Sequence, residues 1–164
     1  MRDGITYDIQ VAGNISDFEK MLEDNVLAES QSLNSSDKWS KIVDYYYQAL
    51  VELAYGPDPD MFPIDEENGE LDIKKIINRL PVEADESDRF FRLKLIYREE
   101  LKHRIIYTVH DYYLIVLLHI FKKDYNNDIR TEDIEQAVAV YNALCDQGTF
   151  RAKYTIENGE LQER

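Results

Sequence analysis

The chain has 164 residues, with 33 Asp and Glu against 19 Lys and Arg, and therefore a net charge of −14. Its hydrophobic content of 44% argues against wholesale disorder and predicts one domain with a sizeable core, while the single cysteine excludes an intramolecular disulfide. The sequence has neither an N-terminal apolar run nor a stretch of about 20 apolar residues, so we expect a cytoplasmic protein without membrane contact.

The N-terminal part of the chain predicts one strand followed by two helices. Ile5–Val11 alternates apolar and polar residues, which is the pattern of a half-buried strand. Gly13-Asn14 ends this strand, and the spacing of Ser16 and Glu19 predicts a capping box at the start of the first helix. Apolar residues then recur at helical spacing over Asp37–Tyr55, which predicts a second helix ended by a Gly-Pro pair.

Residues 56–89 are predicted to form an acidic insertion in the domain. This stretch contains all four prolines of the chain and two acidic segments, 65–70 and 83–88. Between the acidic segments, Leu71–Leu80 is compatible with a short helix. A connection of this length is either functional or mobile, and its acids either compete with an anionic ligand or simply face solvent.

The stretch Phe90–Lys123 predicts three consecutive strands and hence an antiparallel meander. The predicted strands are Phe90–Tyr97, His103–Val109 and Tyr113–Lys123. Because side chains alternate along a strand, one face should be apolar, while cations and a histidine gather on the other. Seven cations and three anions give this stretch a net charge of +4. A basic island in an acidic chain indicates an anionic partner, although charged strand faces also occur as plain solvated surface.

The C-terminal part predicts one more helix and a tail. Thr131 is a suitable cap, the next two residues are acids that favour a first turn, and Gly148 ends the helix. In the tail, 149–164, Phe150–Ile156 alternates weakly and is followed by an Asn-Gly turn. The sequence therefore predicts an α+β fold over 1–148, in which a small antiparallel sheet carries an N-terminal helix pair and a C-terminal helix.

This order of elements resembles the RelE/HigB superfamily of bacterial toxins, and most closely its HigB-like branch. The likeness lies in LLHIFKK, residues 117–123, and in TEDIEQAVAVYNAL, residues 131–144. It implies a RelE-like fold and the toxin role in a type II toxin–antitoxin system. The toxin would be a ribosome-dependent, metal-independent mRNA endoribonuclease that inhibits translation and needs no cofactor. Its partners would be mRNA on the ribosome and a cognate antitoxin protein of the helix-turn-helix kind.

The resemblance also implies a site for RNA cleavage, in which a ribose 2′-OH attacks the adjacent phosphodiester. This reaction needs a base, an acid and cations that stabilise the charge at phosphorus. We expect His119 to be the general acid or base, because imidazole titrates near neutrality. The basic residues expected on the same face as His119 are Arg92, Lys94, Arg104 and Lys123. These four and Lys122 are candidate phosphate ligands, and Lys94, Arg104 and Lys123 are also candidate catalytic residues.

Each candidate has a structural alternative. His119 could be a packed structural residue, and His103 and His110 are weaker candidates because they lie near turns. We expect the head group of Arg104 to be solvated, so that its loss costs little stability, and it could form a cross-strand pair with Glu99-Glu100. Under each alternative, the side chain is held by contacts within the protein, which can be checked in a structure.

The sequence also allows a role for three tyrosines and an alternative function. Tyr112, Tyr113 and Tyr125 border the meander and could stack on an RNA base. The alternative function is a non-catalytic RelE-fold binding protein, either a gyrase-inhibiting ParE-like toxin or an inactive member. The net charge of −14 favours that alternative, whereas the cationic strand face favours the nuclease.

Overall fold

The structure, a computed structural model, describes residues 6–32, 36–56, 70–75, 90–111, 113–126 and 129–164. The helices are α1 (Ile15–Ser30), α2 (Lys38–Tyr55) and α3 (Thr131–Gln147). The strands are β1 (Asp8–Val11), β2 (Glu70–Lys75), β3 (Phe90–Tyr97), β4 (Leu101–His110), β5 (Leu114–Lys122), β6 (Tyr154–Glu157) and β7 (Glu160–Glu163). None of the helices in these ranges is long and apolar enough to cross a membrane.

The seven strands form one sheet in the order β2-β3-β4-β5-β1-β6-β7. All neighbouring strands are antiparallel except β1 and β5, which run parallel. This confirms the predicted α+β class: the described residues form three helices and a mostly antiparallel sheet whose centre is the predicted meander. The sheet is larger than expected, because strands form at both of its ends where the sequence gives little alternation.

Helices cover both faces of the sheet. The α1/α2 face, where the first two helices pack, is lined mainly by Leu93, Leu95, Ile105, Tyr107, Ile115, Leu117 and Ile120. The α3 face, where the third helix packs, is lined by Phe90, Ile106, Val116, Leu118 and Phe121. Alternation along the strands predicts Ile106 and Phe121 on the cationic side and Leu118 on the apolar side. The face that carries the cations therefore has a hydrophobic core of its own.

A β-bulge in β5 explains why Leu118 lies on the α3 face. The pairing of β4 with β5 passes from Tyr107–Leu117 to Ile106–His119, so that Leu118 is an extra residue in β5. Simple alternation had placed Leu118 on the same face as Ile120, and the bulge reverses that assignment. Gly13 lies against the bulge, because a Cβ on this residue would come within 2.2 Å of the Leu118 carbonyl oxygen. Its φ of +54° also favours glycine.

The predicted capping box at Ser16 and Glu19 is wrong. The helix begins at Ile15 with Asn14 in the N-cap position, and the Asn14 side chain makes no capping hydrogen bond. Instead it accepts the backbone N–H of Ile120 at 2.8 Å and donates to the Ile120 carbonyl at 2.7 Å. Because β1 ends at Val11, this side chain takes the place of the missing strand beside the end of β5.

Two other segments differ from the sequence-based expectation. Where Leu71–Leu80 suggested a short helix, the described residues 70–75 form β2, paired with β3. Residues 149–164 were predicted as a tail outside the domain, yet they contribute β6 and β7 to the same sheet. The Asn158-Gly159 turn between them is confirmed, and both residues have positive φ, as a tight hairpin turn requires. The acidic segments 65–69 and 83–88 lie outside the described residues.

Candidate functional site

Four of the predicted site residues lie together on the α3 face. Lys94 pairs directly with Arg104, and Ile106 pairs with Arg92 on one side and with His119 on the other. Directly opposed side chains share a face with Cβ atoms about 4.5–5.5 Å apart, and diagonal neighbours lie about 7–8 Å apart. Arg92 and His119 are both diagonal neighbours of Arg104 in this register. Three cations and an imidazole therefore converge on one region of the sheet.

Lys122 lies on the face of the sheet opposite the four clustered residues. Lys122 pairs with His103, whose ring contacts Phe18 of α1, so Lys122 lies on the α1/α2 face. Its ammonium group is solvent-exposed and lies 3.8 Å from a carboxylate oxygen of Asp124. The register therefore does not bring Lys122 to the other predicted ligands.

Lys123 follows the end of β5 and contacts Tyr125. Its Nζ donates to the Tyr125 carbonyl at 3.2 Å and lies 4.8 Å from the centre of the tyrosine ring. The guanidinium of Arg130 lies 4.2 Å from the same ring, and the Tyr125 hydroxyl accepts the backbone N–H of Arg130. Because two cations already contact this ring, Tyr125 is better explained as their support than as a platform for a base.

The expectation that the Arg104 head group is solvated is wrong. Only 8% of this residue is exposed, and its Nη1 donates to the backbone carbonyl of His103 at 3.1 Å. The acids Glu99 and Glu100 form ion pairs with Lys102 and Lys38, respectively. Arg104 thus contributes positive charge from below the surface, while Arg92 and Lys94 are only half-buried.

His119 is held between β5 and α3. Its Nε2 lies 2.9 Å from Oδ1 of Asp133, the third residue of α3, and the two side chains are 14% and 22% exposed. The ring also stacks on Phe121 with centroids 5.8 Å apart. The two hydrogen bonds of the Asn14 side chain fix the backbone of Ile120, which follows His119 in β5. This leaves Nδ1 as the ring nitrogen through which His119 could exchange a proton with a ligand.

The other two histidines have different surroundings. His103 is packed against Phe18, and its Nδ1 accepts the backbone N–H of Lys102. Burial, reinforced by the nearby positive charges, lowers its pKa to about 4. His110 stacks on Phe150 at 3.5 Å, and its Nδ1 lies 3.2 Å from the Tyr141 hydroxyl, at the opposite end of β4 from Arg104. Neither residue shares the region that His119 occupies.

Tyr113, which was also proposed for base stacking, does not converge with these residues either. Tyr113 is exposed just before β5, at the far end of that strand from His119, and it contacts Tyr7 with ring centroids 5.7 Å apart. Tyr112 lies outside the described residues. The Tyr45-Tyr46-Tyr47 run lies on α2, where it packs against the core.

A second polar cluster is buried on the α1/α2 face. Glu19, which is 3% exposed, accepts hydrogen bonds from the Tyr46 hydroxyl, the Tyr154 hydroxyl and Lys153 Nζ at 2.8, 2.9 and 2.7 Å. Burial and the adjacent carboxylate raise the pKa of both tyrosines, so their hydroxyls remain donors. For Lys153, burial acts to lower the pKa, but the hydrogen bond and charge of Glu19 outweigh it. The carboxylate is enclosed by its partners, which indicates a structural role.

Sequence reasoning missed two residues of the candidate site, Asp133 and Asn14. Asp133 follows Thr131 and Glu132 at the start of α3, where acids stabilise the helix dipole, so its position alone gives no sign of a contact with His119. Asn14 follows a glycine in a turn, where asparagine is common for local reasons. The contacts of Asp133 with His119 and of Asn14 with Ile120 depend on how the strands and α3 meet, and no local sequence pattern contains that information.

Comparison of this chain with family models, with curated proteins and with solved structures finds no match. Among the residues that the structure describes, no group of three or more His, Cys, Asp and Glu side chains is placed to hold a metal ion.

Proposed function

We propose that this chain is the toxin of a type II toxin–antitoxin pair, with a RelE-like fold and HigB-like mRNA endoribonuclease activity on the ribosome. The observation that carries the proposal is the convergence of Arg92, Lys94 and Arg104 with a half-buried imidazole, His119, on the α3 face. One of the two stretches that suggested the family from sequence, residues 117–123, includes His119 and lies at the end of β5 beside this cluster. Cognate antitoxin and mRNA would be its partners, and catalysis would need no metal.

The cluster has the groups that cleavage by a ribose 2′-OH requires. Neutral His119, with its Nε2 on Asp133, can accept the 2′-OH proton at Nδ1 while the 2′-oxygen attacks phosphorus. The protonated ring can then return a proton to the departing 5′-oxygen from the same atom. The products are a 2′,3′-cyclic phosphate and a 5′-hydroxyl. Lys94 and Arg92 would contact the phosphate, and Arg104 would add positive charge beneath it.

The alternative is a non-catalytic protein of the same fold that binds gyrase or has lost cleavage. The net charge of −14 favours this alternative, because a strongly acidic chain repels RNA at long range. The local charge of the meander opposes it, because three of its seven cations, Arg92, Lys94 and Arg104, are neighbours on one face of β3 and β4. Short-range contacts rather than long-range steering would then hold the RNA.

Inducing the chain in bacteria distinguishes these functions. The proposal predicts growth arrest with depletion of intact mRNA, and it predicts that His119→Ala at the same protein level lets cells grow and leaves messages intact. Mapping of the RNA ends should show cuts within translated reading frames. Growth arrest with DNA damage and stable messages would instead establish the gyrase-binding alternative. Absence of arrest with soluble protein present would identify an inactive member.

A further inference from the structure

The hydrogen bond between His119 and Asp133 joins β5 to α3, two elements that pack against each other. His119 belongs to the strand end that carries the cations, whereas Asp133 belongs to a helix whose other inward residues are apolar. We infer that Asp133 is a positioning residue for His119, setting which ring nitrogen carries the proton and the direction in which Nδ1 points. The inference rests on the proposed function and adds α3 to the catalytic site.

The chemistry follows from what a carboxylate can do. An ionised carboxylate only accepts hydrogen bonds, so the 2.9 Å contact requires the proton of neutral His119 to be on Nε2. The lone pair is then on Nδ1, and a base is available without any rearrangement. If the ring carried its proton on Nδ1 instead, Nε2 and Asp133 would face each other as two acceptors. Asp133 therefore excludes the tautomer that cannot act as a base at Nδ1.

Both partners are held firmly, which a positioning role requires. On the strand side, the two hydrogen bonds from Asn14 fix the backbone of Ile120, the neighbour of His119. On the helix side, Ile134 and Ala137 are fully buried against the α3 face and fix the first turns of α3. The His119 ring thus has little freedom to rotate away from Asp133.

A purely electrostatic or structural role for Asp133 predicts different behaviour. Glu132 is the adjacent acid in the same turn of α3, and it is exposed to solvent. Glu132→Gln removes the same charge from the same helix end without touching His119. It is therefore the matched control for Asp133→Asn, which keeps the size of the side chain but can either donate to or accept from the ring.

The test combines kinetics with a readout that does not need activity. On ribosome-bound mRNA, Asp133→Asn should lower kcat about a hundredfold with KM within twofold of the parent, because the ring loses its productive tautomer but RNA contacts remain. Asp133→Glu should recover a large part of the rate, and Glu132→Gln should change neither constant by more than twofold. Long-range proton–nitrogen NMR of the imidazole should show the proton on Nε2 in the parent and a mixture of tautomers in Asp133→Asn.

The inference is overturned if Asp133→Asn cleaves like the parent, or if its rate loss equals its loss of folded protein in a thermal melt. It is equally overturned if the NMR spectrum of the parent places the proton on Nδ1. If the parent cuts no RNA, the proposed function fails, and the NMR result still decides whether Asp133 sets the tautomer of His119.

Discussion

His103, His110 and His119 all lie in the same two adjacent strands, yet their neighbours give them different chemistry. His103 lies between Phe18 and the positive charges of Lys122 and Arg104, and a protonated ring there would be poorly solvated. His119 instead has a carboxylate oxygen of Asp133 at 2.9 Å from its Nε2. The charge of the nearest partner, more than the residue type, therefore distinguishes the candidate catalytic histidine from a packed one.

The pKa of His103 makes a specific prediction for stability against pH. In the unfolded chain this histidine takes up a proton near pH 6.5, whereas in the folded protein it does so only near pH 4. The unfolded state therefore binds more protons between these values, and His103 lowers the unfolding free energy as pH falls from about 6.5 to 4. The contribution can reach about 1.4 kcal/mol per pH unit. Urea denaturation of the parent and of His103→Gln across this range should show a shallower pH dependence in the variant, and parallel curves would contradict the assignment.

At the level of residues, alternation along the strands was enough to place the candidate site on one face. Of the five residues expected on that face, it correctly grouped Arg92, Lys94, Arg104 and His119, because cross-strand pairs keep the same orientation through β3, β4 and β5. The fifth, Lys123, follows the end of β5, where the strand register no longer places a side chain. Alternation could not show that Arg104 is buried, since burial depends on what covers the face. It also could not find Asp133, whose contact with the histidine is made across two elements.

The end of β5 shows how a single side chain can complete a sheet. β1 pairs with β5 as far as the hydrogen bond from Ala12 N–H to the Leu117 carbonyl, and then the chain turns into α1. Beyond that point Asn14 supplies both a donor and an acceptor to Ile120. The bulge at Leu118 and the close approach of Gly13 belong to the same arrangement. This junction sets the position of His119, although none of these residues is itself a candidate catalytic group.

Asn14→Ala should therefore destabilise the protein by about 1–3 kcal/mol, because it leaves two backbone groups of Ile120 without their partner. Chemical denaturation gives the unfolding free energy directly. Asn142→Ala is the matched control, since Asn142 lies on the exposed side of α3 and its loss should change stability by less than about 0.5 kcal/mol. Equal effects of the two substitutions would show that the Asn14 hydrogen bonds contribute nothing.

Some elements were predictable and others were not, for identifiable reasons. The meander and α2 have strong periodicity, and their observed boundaries lie within two residues of the predicted ones. By contrast, β7 reads Glu-Leu-Gln-Glu and has one apolar residue, so only its pairing with β6 across the Asn158-Gly159 turn makes it a strand.

The first turn of α2 is capped by a residue of α1, because the Glu29 carboxylate accepts the backbone N–H groups of Trp39 and Ser40.

At the scale of the whole molecule, Glu19 joins the N-terminal and C-terminal parts of the chain. It lies on α1, and its partners Lys153 and Tyr154 lie at the start of the C-terminal hairpin formed by β6 and β7. Tyr154 is itself part of the core on the α1/α2 face. These contacts make residues 149–164 an integral part of the domain.

Glu19→Ala should lower the unfolding free energy by about 2–4 kcal/mol, because it leaves two buried hydroxyls and a partly buried ammonium group without their shared acceptor. Glu23→Ala, one turn further along α1 and exposed, removes the same charge and should cost less than about 0.5 kcal/mol. Thermal or urea denaturation of both variants measures the difference. A cost for Glu19→Ala as small as that of Glu23→Ala would contradict a structural role for this cluster.

The central claim is that the cations of the α3 face, within an otherwise acidic molecule, act on RNA. The structure offers a matched pair of lysines for testing it. Lys94 lies on the α3 face beside Arg104, whereas Lys122 lies on the α1/α2 face beside His103. Substituting either lysine by alanine changes the net charge by the same amount. A difference in activity between the two variants is therefore due to the face on which the lysine lies and not to the overall charge.

The most direct measurement is cleavage of mRNA on purified ribosomes by the parent protein, Lys94→Ala and Lys122→Ala, each corrected for folded fraction. The parent should cut the message, Lys94→Ala should cut it about a hundredfold more slowly because a cation beside the phosphate is lost, and Lys122→Ala should stay within twofold of the parent. Intact message with the parent protein, or equal losses in the two variants, would contradict the account.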